Sequence, residues 1–466
     1  MVKFELNVIS FIKRNYLLIL ILLFALFIRF YRLEQMANYD FDQEYVTNFV
    51  LDVVREYPIR YAGQGLSIQG LFMGAWYFYF LVPWYLLTSL NPLGGFIGSV
   101  FLGVLTVFTY YFVSKEIFSK RVGLISAFLR AVGFYAISID WAMTPAFSSD
   151  LFVLLIWYCF YKIYKKEDKY FYLLALIFGL LTSFHIIQLP FYLVLLILLI
   201  VWKTKITKKI LFPSFLMFLL PNIPLILFDY WRNWAMANQI FSMISGGGGG
   251  NSFLEKMEKL KTMLWVVLDF FGDVIQVSYS RFLVIILFLS SLILLRVFIR
   301  KNKKFHFPTL ISSFAIFILY YTALPIHVPE YYLGGLRAIM LLYISFLLHS
   351  LIKNKLAKYF VFFFFSYYFL MSSSQIYKKW TNSKLTTFGN KESIVLDIIS
   401  DAEEEDFTIS YIVKPGWGSG FDSLFRLHNR VSSGKGNVYT IVVPTDLLNE
   451  NEIDLIRGDI GLIYPK

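Results

Sequence analysis

The chain has 466 residues, of which 58% are apolar, 20% aromatic and only 16% charged, and its formal net charge is +12. This composition excludes a single soluble core and predicts a polytopic α-helical membrane protein. The basic residues cluster in short loops between apolar runs, as expected for the cytoplasmic loops of a membrane protein. The positive net charge therefore implies no nucleic-acid partner.

The first apolar run, at 16–28, follows Lys13 and Arg14, and no small-residue cleavage site comes after it. We therefore expect a retained span and not a removed signal peptide. Later runs reach or approach the length that crosses a bilayer. They lie at 71–90, 96–113, 122–139, 151–164, 170–187, 191–202, 210–228, 282–298, 307–324, 339–352 and 359–371.

Five basic loops alternate with poorly basic ones, which fixes an inside and an outside. These basic loops lie at 115–121, 162–169, 203–209, 296–304 and 353–358. The outer face then receives the first loop, 31–68, and a later loop, 229–280. The alternation holds only if one of the runs 71–90 and 96–113 is re-entrant or interfacial, which leaves about 11 net crossings.

The outer loop 229–280 contains five glycines at 246–250 and a predicted surface helix at 255–261. Polyglycine has high backbone entropy, so this is either a plain mobile loop or a lid over a substrate.

We divide the chain into a transmembrane catalytic domain, 1–373, and a soluble domain, 374–466. The second part has mixed polar sequence, with a predicted helix at 394–399 and strands at 408–413, 438–443 and 460–464. This pattern of elements predicts that residues 374–466 form a small α/β domain on the outer face. The single cysteine, Cys159, has no partner for a disulfide.

Three carboxylates, Asp40, Asp42 and Glu44, lie where the first span meets water. A carboxylate at that depth suits a general base that acts on a lipid-borne reactant. Asp40 and Gln43 also fit an N-cap and N3 pair that starts a helix. Asp42 is therefore the better catalytic candidate of the three.

Other polar residues fall at the outer edges of apolar runs, where ionisable groups tend to be paired or functional. Simpler roles remain open for some of them: His185 as a satisfied core histidine, Tyr331 and Tyr332 as interfacial anchors, and Arg130 as an anchor for a partner helix. The candidates for substrate binding are Arg337, His185, His327, Tyr331, Tyr332 and Asp140. No phosphate-binding glycine motif is present, so an ATP-driven machine is disfavoured.

The order of several short motifs along the chain resembles that of a known family. The end of the first span, 28–33, precedes Asp42, and the glycine and aromatic stretch 65–83 follows. With further stretches at 139–146, 183–190, 224–234 and 329–333, this order is similar to the GT-C glycosyltransferases of the family 39 type, which include protein O-mannosyltransferases and aminoarabinose transferases. The resemblance covers about the first 350 residues.

The resemblance implies a GT-C-like fold, a polyprenyl-phosphate-linked sugar as donor, inverting transfer and a catalytic aspartate that matches Asp42. The family's usual pair in this loop is Asp-Glu, whereas Gln43 follows Asp42 here and Glu44 comes one residue later. We expect Arg337 to stabilise the lipid phosphate, with His185 or His327 as weaker candidates. No metal ligand is predicted, although a divalent metal stays open.

The sequence thus predicts an integral membrane glycosyltransferase of a prokaryotic plasma membrane that acts on the outer face in cell-envelope glycosylation. The acceptor is a glycan, a lipid or a protein. A lipid or sugar transporter, or flippase, is the alternative and would predict internal repeats. The first outer loop is not repeated later in the chain. A structural protein anchored by its spans would not need so many polar outer edges.

Overall fold

The computed structural model describes residues 2–245, 252–277, 280–324, 328–382 and 386–466. The predicted site residue His327 and the glycines 246–250 lie outside these ranges. The helices are α1 (Val2–Phe30), α2 (Leu33–Met36), α3 (Phe41–Leu51), α4 (Trp76–Leu87), α5 (Leu93–Ile117), α6 (Lys120–Val132), α7 (Phe134–Asp140), α8 (Ser149–Tyr164), α9 (Lys169–Phe184), α10 (Pro190–Val201), α11 (Lys208–Trp231), α12 (Ala235–Ser245), α13 (Phe253–Ile275), α14 (Arg281–Phe298), α15 (Lys303–Ala323), α16 (Gly335–Ile352), α17 (Ala357–Thr381), α18 (Phe388–Ala402) and α19 (Asp422–Leu427). The strands are β1 (Ala62–Gly65), β2 (Phe72–Gly74), β3 (Phe407–Val413), β4 (Asn437–Val443), β5 (Leu455–Arg457) and β6 (Ile460–Ile463).

Five helices among the described residues, α5, α11, α14, α15 and α16, are long and apolar enough to cross a membrane. A sixth span is formed if α6 and α7, which meet at a 65° bend, are taken together. The predicted polytopic helical architecture is confirmed, and the count of 11 crossings stays a prediction. Of the two runs in doubt, 96–113 lies within α5, which is long enough to cross, whereas 71–90 contains α4 with only 12 residues, about 18 Å of helix. This favours 71–90 as the re-entrant or interfacial run.

Small residues bring neighbouring helices into close contact. A Cβ on Gly123 of α6 would lie 2.6 Å from the carbonyl oxygen of Tyr111 in α5. A Cβ on Gly179 of α9 would lie 2.5 Å from the carbonyl oxygen of Phe218 in α11. These glycines let the backbones approach as membrane helices commonly do.

The described residues of the predicted outer loop 229–280 are mostly helical. Helix α13 starts from Ser252, whose hydroxyl accepts the Glu255 amide at 3.2 Å, and it continues well beyond the predicted end at 261. Met263, Val266 and Phe270 recur at helical spacing and are buried. The second half of α13 is therefore held by packing against the bundle.

The C-terminal residues form the predicted small α/β domain. Its sheet has the order β3-β4-β6-β5, with β3 parallel to β4 and the other pairs antiparallel. Helix α19 lies in the connection from β3 to β4. The domain boundary predicted at 373 falls inside α17, because the serines that follow it, such as Ser374, do not end a helix as Pro or Gly would.

The C-terminal domain packs on α3. The guanidinium of Arg426 bonds Asn48 at 3.1 Å and Asp52 at 2.5 Å. The hydroxyl of Tyr39, just before α3, lies 2.8 Å from that of Ser423. The domain therefore holds the helix whose first turn carries Asp42.

Candidate active site

Asp42 lies in the first turn of α3, where the positive end of the helix dipole favours a carboxylate. The side-chain amide of Gln64, on β1, donates to its Oδ1 at 2.8 Å. The carboxylate is partly exposed and is held by a neutral group, so it keeps accepting capacity for a substrate hydroxyl.

Asp42 faces a cavity of about 170 Å³. Its walls come from the hairpin β1–β2, the turn after α7, the segment after α9 and the short 3₁₀ turn Glu330–Leu333. The lining residues are Asp42, Gln64, Gly65, Leu66, Ser67, Met73, Thr144, Pro145, Ala146, His185 and Tyr331. Separate parts of the sequence thus meet around one carboxylate.

Two predicted residues, His185 and Tyr331, lie in this cavity, and neither provides a positive charge. The Nδ1 atom of buried His185 accepts the Ile187 amide at 3.3 Å, which makes that nitrogen the unprotonated one of a neutral imidazole. Burial, the neighbouring Tyr332 and the negative charge of Asp42 raise the pKa of Tyr331 to about 12. The phenol is therefore a protonated donor at neutral pH.

The other two carboxylates of the predicted trio face away from Asp42. Residues two apart on a helix point about 200° apart, whereas residues four apart share a face. Glu44 accepts the amides of Gly420 at 2.9 Å and Ser423 at 3.1 Å, both in the C-terminal domain. These contacts indicate a docking role for Glu44, and its catalytic role stays an untested prediction.

Asp40 is the N-cap residue of α3, and its amide donates to Gln43 Oε1 at 2.9 Å, as expected for a capping pair. Its carboxylate meets Lys391 at 3.1 Å. Asp40 does not line the Asp42 cavity, so its position favours the capping role, and a catalytic role for it stays an untested prediction.

Asp140, predicted to bind substrate, is buried between two arginines. It accepts Arg29 Nε at 2.7 Å and two bonds from Arg130 at 2.7 and 2.8 Å. Gly103 on α5 provides the space, because a Cβ there would lie 2.3 Å from the carboxyl carbon. Asp140 thus joins α1, α6 and α7 through Arg29 and Arg130. These contacts favour a structural role, and substrate binding by Asp140 stays an untested prediction.

Arg337, the expected phosphate-binding cation, also lies outside the Asp42 cavity. Its guanidinium carbon is 3.7 Å from the Tyr135 ring centre and 3.5 Å from that of Phe270, and it pairs with Asp273 at 3.2 Å. The ring centre of Tyr332 lies 5.7 Å from that of His185, and Tyr332 is not among the residues that line the cavity. None of the described residues that line the cavity is Lys or Arg.

Comparison with known proteins gives one family match in sequence and several matches in structure. Residues 73–228 match the family model for dolichyl-phosphate-mannose-protein mannosyltransferase. The structure is similar to ArnT from Cupriavidus metallidurans bound to undecaprenyl phosphate, with a TM-score of 0.61 and 12% identity over 96% of this chain and 98% of that one. The chain has the GT-C glycosyltransferase fold.

A second GT-C structure supports this assignment. The archaeal oligosaccharyltransferase AglB from Archaeoglobus fulgidus, in complex with an inhibitory peptide and a dolichol-phosphate, matches with a TM-score of 0.51 and 12% identity over 93% of this chain and 70% of that one. No curated protein matches the chain in sequence. Taken together, the family match and the GT-C fold indicate a glycosyltransferase.

From the sequence, Gln43 is predicted only as a capping residue, and Gln64 is not singled out. Gln64 fixes Asp42, and Gln43 reaches the turn after α7, where its side-chain amide donates to Ala142 and, at 3.1 Å, to Thr144 Oγ1. A glutamine between Gly63 and Gly65 on a short strand was the available signal for Gln64. Within the described part of the fold, no group of three or more His, Cys, Asp or Glu side chains is placed to hold a metal ion.

Replacing Glu44 is expected to loosen the C-terminal domain. Glu44→Gln removes the charge that strengthens two hydrogen bonds to amides of that domain, which costs about 1–3 kcal/mol of local stability. Hydrogen exchange of the α19 amides should accelerate. Glu258→Gln, on an exposed turn of α13, is the matched control, and wild-type exchange in α19 of the Glu44 variant would contradict the docking role.

Proposed function

We propose that the protein transfers a sugar from a polyprenyl-phosphate-linked donor to an acceptor hydroxyl at the outer face of a prokaryotic plasma membrane. The observation that carries this proposal is the placement of Asp42 in a cavity at the start of α3 within a GT-C fold. The undecaprenyl phosphate bound to ArnT and the dolichol-phosphate bound to AglB support the class of donor.

Asp42 acts as the general base. The acceptor oxygen attacks the anomeric carbon on the face opposite the phosphate and gives its proton to the Asp42 carboxylate. The bond from that carbon to the phosphate oxygen breaks, and its electron pair leaves with the lipid phosphate. Attack from the opposite face inverts the anomeric configuration. The Ser67 hydroxyl lines the same cavity and can donate to the leaving phosphate oxygen as negative charge develops there.

An apolar groove is available for the lipid tail. A cavity of about 630 Å³ lies between α13, α14, α15 and α16, with walls that include Phe271, Phe288 and Ile339. On α16, Arg337 precedes Ile339 and Met340 by two and three residues, and both line this groove. Arg337 therefore lies within one turn of the first residues of α16 that line the groove.

The same short segment links the groove to the Asp42 cavity. Tyr331 lines that cavity, and Arg337 comes six residues later, after a 3₁₀ turn and the start of α16. Such a segment rises by roughly 10 Å. A lipid phosphate held by Arg337, with its tail in the groove, would place the attached sugar toward Asp42.

Arg337→Gln is expected to raise the KM for the lipid-linked donor by about tenfold or more, because the variant loses a charge-assisted phosphate contact. Steady-state transfer with a polyprenyl-phosphate sugar measures this, and Arg337→Lys should recover part of the loss. The control is Arg281→Gln, since Arg281 also stacks on an aromatic ring, that of Trp265 at 5.0 Å. An unchanged donor KM in a folded Arg337→Gln variant would remove the phosphate role.

A further inference from the structure

A second cleft opens between the start of α3 and the C-terminal domain. Its volume is about 330 Å³, within the range of roughly 300–1,000 Å³ typical of small-molecule sites. Asp40 and Phe41 contribute from α3, and Lys391 and Trp417 from the C-terminal domain. It shares no lining residue with the Asp42 cavity.

The floor of this cleft is polar but neutral overall. The buried ammonium of Lys391 donates to the carbonyl oxygens of Tyr39 at 2.6 Å and Ser419 at 2.8 Å, and to Asp40 Oδ1 at 3.1 Å. All three of its protons are thereby engaged. Lys391 is therefore fixed in place and does not select an anion. Asp40, 54% exposed, presents a carboxylate that accepts hydrogen bonds from hydroxyl groups.

The walls of the cleft carry exposed aromatic rings. Phe41 is 62% exposed and Trp417 is 42% exposed. The face of an aromatic ring is electron-rich and attracts the C–H groups on one side of a sugar ring. Beside Trp417, Gly416 has a φ of +84° and no atom within 4 Å of the position of a Cβ, so the approach to the cleft is open there.

We propose that this cleft binds a sugar unit of the acceptor, an inference that rests on the proposed glycosyl transfer. A neutral floor with a hydroxyl-binding carboxylate and an aromatic wall fits a carbohydrate better than a phosphate or a lipid chain. The donor enters from the apolar groove, and none of α13 to α16 contributes to this cleft. The cleft is built instead from α3 and the C-terminal domain.

The position of the cleft also suits an acceptor. Asp40 and Asp42 are two residues apart, so their Cα atoms lie at most about 7 Å from each other. The two side chains point to different faces of the same first helical turn. A saccharide held at Asp40 can thus extend a hydroxyl around that turn toward Asp42.

Ligand-observed NMR on the full chain in lipid nanodiscs, without polyprenyl phosphate, tests this proposal. The probes are a panel of defined oligosaccharides that contain hexose, N-acetylhexosamine or pentose units. We expect at least one to bind, Trp417→Ala to weaken its binding about tenfold, and Trp417→Phe to retain most of it. Trp234→Ala removes an equally exposed tryptophan elsewhere and should leave binding unchanged.

Three results would overturn the acceptor cleft: no saccharide binds the wild type, Trp417→Ala binds as tightly as the wild type, or a polyprenyl-phosphate sugar displaces the bound saccharide. Because binding is measured without donor, it is independent of transfer. Saccharide binding that depends on Trp417 in a protein without transferase activity would count against the proposed enzyme function and leave the binding site intact.

Discussion

Asp42→Asn is expected to lower the turnover of sugar transfer by about two to four orders of magnitude, the usual contribution of a positioned general base. The amide has nearly the shape of the carboxylate but cannot take the acceptor's proton. Donor binding should persist, because the proposed tail groove and Arg337 do not involve Asp42. A transfer assay with purified protein and a polyprenyl-phosphate sugar measures the loss.

The control for Asp42→Asn is the same substitution at Asp168, an exposed carboxylate between α8 and α9. This variant should transfer sugar at the wild-type rate. Wild-type turnover in a correctly inserted Asp42→Asn protein would rule out Asp42 as the general base and assign that role to another group. Loss of turnover together with loss of inserted protein would instead assign Asp42 to stability.

Asp140→Ala is expected to cost about 3–5 kcal/mol of stability, because it leaves Arg29 and Arg130 buried without a counter-charge. Both guanidiniums are almost completely enclosed, with side-chain exposures of 0% and 2%. Thermal unfolding in detergent should show a much lower midpoint. The variant is expected to lose activity only in proportion to the folded protein that it loses.

A triple variant tests whether the lost stability comes from uncompensated charge or from lost packing around Asp140. Replacing Arg29, Arg130 and Asp140 together by apolar residues of similar size removes the ion pairs and the uncompensated charge at once, so most of the stability should return. Ser138→Ala, a mild change on the same short helix α7, is the control. A folded Asp140→Ala protein with normal stability and a raised substrate KM would restore the substrate-binding role first predicted.

In the first outer loop, contacts between neighbouring residues could be anticipated from the sequence, whereas contacts with distant partners could not. Asp40 and Gln43 form a capping pair across three residues, which sequence reasoning could anticipate. Glu44 looked like a third member of the site, yet its partners, Gly420 and Ser423, lie almost 400 residues further along the chain. No local pattern reveals such a contact.

The residues expected to bind substrate also differ in whether the fold places them at the Asp42 cavity. His185 and Tyr331 do line the cavity with Asp42. Asp140 lies at the edge of an apolar run, a position that suits a functional residue and a buried ion-pair partner equally well. In the structure it pairs with two buried arginines. The sequence shows the cost of placing a charge there, and only the fold shows which groups offset it.

By itself, the sequence determined the helical membrane architecture, the three longer strands of the small C-terminal sheet and the capped start of the helix that carries Asp42. Apolar length, alternation and capping act over a few residues, so they can be read without a fold. The tertiary structure alone decided which carboxylate faces a cavity. That outcome depends on the rotation of α3 and on the domain that packs against its other side, and both arise from contacts between residues far apart in the chain.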